Sequence, residues 1–133
     1  MEAMRILILE DDPKDLRIAS EAAHAAGYDE IQAFMWLAPA RLWLEEGLRG
    51  ERLLPQAMIL DLGLGSDSGY ELLRFWHSRQ SNSKVHIIVW SQFEERNRDV
   101  CDLFGVNAYV GKWEGKAALL EALKNLHLPE KNS

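Results

Sequence analysis

Residues 6–12 read ILILEDD, an apolar run that ends on three consecutive carboxylates. Adjacent apolar residues without polar alternation fit a strand covered on both faces, the pattern of a parallel sheet. The carboxylates that follow do not belong in such a core. Asp12-Pro13 marks the change from strand to helix, a capping side chain followed by proline at the first helical position. One helix start needs one cap, so Glu10 and Asp11 are left to explain. A second run, AMILDLGL at 57–64, carries a single acid, Asp61, at the end of its strand-like part.

Outward from these two runs, strand-length and helix-length stretches alternate. The strand candidates are RILILE (5–10), EIQAFM (30–35), QAMILD (56–61), VHIIVW (85–90) and NAYVG (107–111). Between and after them, DLRIASEAAHAA (15–26), APARLWLEEGL (38–48), GYELLRFWHSR (69–79), EERNRDVCDLF (94–104) and KAALLEALKNL (116–126) carry apolar residues at helical spacing. Gly27 falls where a helix C-terminal glycine is expected, Pro39 opens the second helix, and Gly105 closes the fourth. Strict βα alternation predicts an α/β domain with a parallel sheet, right-handed crossovers and helices on both faces. Ligands of such folds sit beyond the carboxyl ends of the strands. One domain is expected over 1–128, followed by a polar tail or linker start at 129–133.

The composition sets limits. The chain has 133 residues, 47% hydrophobic and 27% charged, room for one core of ordinary size. No apolar run approaches the roughly 18 residues needed to cross a bilayer, and MEAMR leads into a strand without a cleavable leader. A net charge of −6 disfavours direct contact with nucleic acid phosphates and favours cations and proteins as partners. The lone Cys101 makes no internal disulfide and fits a reducing, cytoplasmic compartment. The four histidines, His24, His77, His86 and His127, lack metal-ligand spacing. Trp43 and Trp76 recur with leucines as core residues.

The strand ends carry the chemistry. Glu10 and Asp11 leave the first strand and Asp61 ends the third, while Ser91 ends the fourth and Lys112 the fifth. If these strands are neighbours, the groups converge on one crevice. Two carboxylates about 4 Å apart repel by roughly 4 kcal/mol at an effective dielectric near 20. A divalent cation offsets that, and oxygen ligands without histidine or thiolate point to magnesium. With a hydroxyl and an ammonium beside it, the crevice is suited to a phosphoryl group.

ILILEDD, ILDLGLGSDSGYELL, VWSQF and AYVGK, in this order, resemble the receiver domains of two-component response regulators, the CheY-like superfamily. The resemblance implies a flavodoxin-like, doubly wound domain with strand order 2-1-3-4-5 and five helices. It makes Asp61 the phosphoacceptor, with Mg2+ (Mn2+ as a substitute) held by Asp11, by Glu10 mainly through water, by Asp61 and by the backbone carbonyl of Gly63. Ser91 matches the switch hydroxyl, Lys112 the lysine that pairs with the phosphoryl group, and Tyr109 the aromatic that rotates inward. Gly69 and Glu71 fall where the loop and third helix start are expected. The implied partners are a histidine kinase or phosphotransfer protein and a downstream protein or output domain. A homodimer would use the face of the fourth helix, fifth strand and fifth helix. The implied chemistry is self-modification, with no soluble metabolite turned over.

Four positions depart from the common pattern: Gly65 and Trp113 stand where proline is usual, Gln92 where a small residue is usual, and Trp90 is bulky for its place. Without proline at 113, a trans Lys112–Trp113 bond is expected, because a cis bond costs roughly 3–4 kcal/mol. Three other readings compete. A pseudo-receiver would keep the fold without phosphorylation, yet all five chemical positions are filled. An aspartate-nucleophile phosphohydrolase would place its nucleophile after the first strand and add a cap domain. A flavin carrier would need a Ser/Thr/Gly-rich phosphate loop there.

Overall fold

The structure, a computed structural model, describes residues 3–62, 68–79, 84–92, 99 and 102–126. Five strands, β1 (Arg5–Leu9), β2 (Glu30–Phe34), β3 (Ala57–Leu60), β4 (His86–Ser91) and β5 (Ala108–Gly111), form one parallel sheet in the order β2-β1-β3-β4-β5. Among the described residues, four helices accompany them: α1 (Pro13–Ala25), α2 (Leu37–Leu48), α3 (Ser68–Arg79) and α4 (Lys116–Asn125). Most of the helix expected over 94–104 lies outside the described residues, although Asp99, Asp102 and Leu103 are helical. The tail at 129–133 also lies outside them.

Alternation along the strands builds two cores. Ile6 and Ile8, Ala57 and Ile59, Ile88 and Trp90, and Val110 pack against Ala19, Ala22 and Ala23 of α1 and Leu119 and Leu123 of α4. Leu7 and Leu9, Met58 and Leu60, and Ile87 face Ala40, Trp43 and Leu44 of α2 and Leu72, Leu73 and Trp76 of α3. Burying both faces explains why these strands read as continuous apolar runs. β2, with one neighbour, is mostly exposed and is the most polar strand.

Local chemistry fixes the helix ends. Asp12 caps α1 by accepting from Lys14 N at 3.2 Å, with Pro13 behind it. At the other end, Gly27 (φ +103°) lets its own amide reach His24 O and that of Tyr28 reach Ala23 O, each at 3.0 Å. α2 begins at Leu37, two residues before the expected Pro39. Proline is tolerated there because the amides of a first helical turn have no intrahelical acceptor. Among the described residues no helix is long and apolar enough to cross a membrane.

Candidate functional site

Extending each strand's alternation by one step places Glu10 after Ile8, Asp61 after Ile59 and Lys112 after Val110, all on the α1/α4 face. The backbone holds two of them at the switch point between β1 and β3. Glu10 N donates to Phe34 O at 3.0 Å and Asp61 N to Leu9 O at 3.2 Å. Oxygens of Glu10, Asp11 and Asp61 lie within 4.8 Å of one another, a grouping that could hold a metal ion. Donors of this kind, all carboxylate, fit a hard divalent cation.

Lys112 closes the group from β5. Its Nζ donates to Asp61 Oδ2 at 3.2 Å and to Asp15 Oδ2 at 2.8 Å, and makes an ionic contact with Glu10 Oε2 at 2.8 Å. Beneath it lies the indole of Trp90, its centroid 5.1 Å from Nζ. An ammonium over an aromatic face gains electrostatic attraction. The bulky tryptophan thus has a place: buried in the α1/α4 core, it floors the lysine.

Burial sharpens the electrostatics. Glu10 is 1% exposed and Lys112 11%. Burial pushes the Glu10 carboxyl up to about 8, with the charge of Asp61 adding to the rise while Lys112 and the Asp12 amide oppose it. Burial also works against the charge of Lys112, but Asp15, Glu10 and Asp61 more than offset it and hold the ammonium above the ordinary lysine range. Three carboxylates, Glu10, Asp15 and Asp61, thus meet one ammonium, with Asp11 grouped beside Glu10 and Asp61. Oxygens of Glu10, Asp11 and Asp61 lie within 4.8 Å of one another, a separation at which two ionised carboxylates repel by roughly 3–4 kcal/mol at an effective dielectric near 20.

Ser91 and Tyr109 stand apart from this group. Ser91 follows Val89 by alternation and Tyr109 pairs with Val89 in register, on the opposite face, where Leu62, Val89, Tyr70, Val106 and Tyr109 pack together. Ser91 is fully buried, and its Oγ has no hydrogen-bond partner among the described residues. The backbone carbonyl expected from Gly63 lies outside the described residues, as does Gly65. Gln92 is exposed.

Two features escaped the sequence. Asp15 sits on the first turn of α1, where an acid reads as a partner of the helix dipole, and its contact with Lys112 spans 97 positions. Gly69 packs the start of α3 so tightly on the β3 exit that a Cβ there would overlap the Asp61 carbonyl. The Lys112–Trp113 bond is trans, as expected, and Gly115 (φ +92°) takes up the turn after it. Gly111 has an ordinary extended backbone instead; a Cβ there would strike the folded-back Trp113 indole.

Solved structures share this arrangement of strands and helices. A two-component response regulator from Cytophaga hutchinsonii superposes with a TM-score of 0.76 at 18% identity, covering 95% of this chain and 98% of its own. The phosphorylated cyanobacterial phytochrome response regulator RcpA gives 0.73 at 23% identity, over 94% and 91%. The Mn2+-bound form of response regulator Rcp1 gives 0.71 at 21%, over 92% and 91%. The chain has the response-regulator receiver fold. No family model and no curated protein matches the chain by sequence. The acidic cluster of Glu10, Asp11 and Asp61 sits where the phosphoacceptor site of a receiver would lie.

Proposed function

We propose that the chain is a phosphoacceptor domain of a two-component system, modified on Asp61. The observation that carries this reading is the meeting of Asp61 with Glu10, Asp11 and Lys112 at the carboxyl ends of β3, β1 and β5. A carboxylate oxygen of Asp61 attacks the phosphorus of a phosphohistidine, on a histidine kinase or phosphotransfer protein. The P–N bond breaks, a P–O bond forms, and the imidazole leaves with a proton from water. The product is an acyl phosphate, and Lys112 pairs with its oxygens. Glu10, Asp11 and Asp61, with the carbonyl of Gly63, would hold Mg2+ or Mn2+, which when bound supplies positive charge for the phosphoryl oxygens. The added charge of about −1.5 to −2 then biases Ser91 and Tyr109, and through them the surface read by a downstream protein or output domain. The domain modifies only itself, works in the cytoplasm, and does not bind nucleic acid directly; any homodimer would form through the face that carries β5 and α4.

The test is intact mass after incubation with acetyl phosphate and Mg2+. Wild type should gain one phosphoryl group and Asp61→Asn none. Absence of an adduct on wild type would instead favour a protein-interaction module that keeps the fold without the chemistry.

A further inference from the structure

Three carboxylates contact the Lys112 ammonium, and they are not equivalent. Glu10 and Asp61 belong to the group that could hold a cation, and Asp61 is also the proposed acceptor. Asp15 stands outside that group. It reaches Nζ from α1 at 2.8 Å, closer than Asp61 at 3.2 Å, with its side chain 17% exposed. A lysine is a compact charge on a flexible stem, so its position depends on what holds the far end.

Building on the phosphoacceptor reading, we infer that Asp15 is a positioning residue that anchors Lys112 from α1. Among the described carboxylates that contact the ammonium, it is the one outside the group that a cation would engage. It also holds the ammonium closer than Asp61 does, at 2.8 Å against 3.2 Å, where a lysine paired fully with the acceptor would compete with the cation for the same oxygens. With Trp90 beneath and Asp15 beside it, Lys112 stays aimed at the acceptor without an ordering step in each cycle. A plain alternative is that Asp15 only complements the α1 dipole, which would make its effect independent of Lys112.

Two measurements on the full chain separate these. The first is the rate of phosphorylation by acetyl phosphate at saturating Mg2+. Asp15→Asn should slow it about tenfold, the scale seen when a residue acting behind a primary ligand is lost. A rate within twofold of a wild type that is itself phosphorylated would overturn the proposal. The second is melting temperature without metal, for Asp15→Asn in the wild-type and Lys112→Gln backgrounds. The account expects a drop of a few degrees in the first background and a clearly smaller one in the second. Equal drops in both would assign Asp15 to the helix alone. If wild type takes no phosphoryl group, the phosphoacceptor reading fails, while the melting cycle still decides whether Asp15 and Lys112 are tied.

Discussion

The two faces of the sheet meet the site in opposite conditions. On the α1/α4 face, Glu10, Asp15 and Asp61 already contact Lys112, with Trp90 packed beneath. On the α2/α3 face, the buried Ser91 hydroxyl has no hydrogen-bond partner among the described residues. The first region is assembled in advance, its excess negative charge ready for a cation. The second carries a buried hydroxyl without a partner among the described residues, and a buried polar group left unpaired costs about 1–3 kcal/mol. A phosphoryl oxygen is the kind of acceptor that would remove that cost. On the proposed phosphoacceptor reading, the contrast divides capture and response between the faces: one would bind, and the other would gain from the bound group.

The assembled face should break most visibly. Lys112→Gln leaves the buried Glu10 and Asp61 without their cation, and loss of one partner of a buried pair costs about 3 kcal/mol or more. Urea unfolding without metal should show this loss, and Mg2+ should restore part of it. An unchanged midpoint would mean that the ion contacts contribute nothing. Next in size is Gly69→Ala, whose methyl must displace the Asp61 carbonyl. Overpacking of this kind costs about 1–3 kcal/mol, and phosphorylation should slow with it because the acceptor itself is shifted. Wild-type stability together with a wild-type rate would show that the close approach of α3 is incidental.

The responding face should barely register. Ser91→Ala removes a buried hydroxyl that has no partner among the described residues, so stability should hold or rise by up to about 1 kcal/mol. A fall beyond that would reveal a partner and erase the contrast between the faces. Trp113 sets the floor of the scale: its residue is 80% exposed, and Trp113→Ala should stay within about 0.5 kcal/mol of wild type.

Legibility in the sequence followed the physics of each residue. Strand positions were readable to within a residue because burial on both faces writes an uninterrupted apolar run, as in ILIL at 6–9. The α1 cap was equally plain, since Asp-Pro acts through neighbouring atoms. Glu10, Asp11, Asp61 and Lys112 were found because parallel topology brings strand ends together wherever they fall in the chain. Asp15 was hidden by its address, for an acid in a first helical turn already has a sufficient local reason to be there. Trp90 was readable as core but not as the floor of the lysine, which depends on how β5 ends beside β4. The role of Gly69 needed the packed distance between α3 and β3, which no residue pattern contains.

The central claim is that one carboxylate, Asp61, is the acceptor among four that crowd together. Reduction of the phosphorylated protein with borohydride converts an aspartyl phosphate to homoserine, and peptide mass mapping then locates it. The account predicts homoserine at position 61 alone and only when Mg2+ is present; homoserine at position 11 or 15 would contradict it.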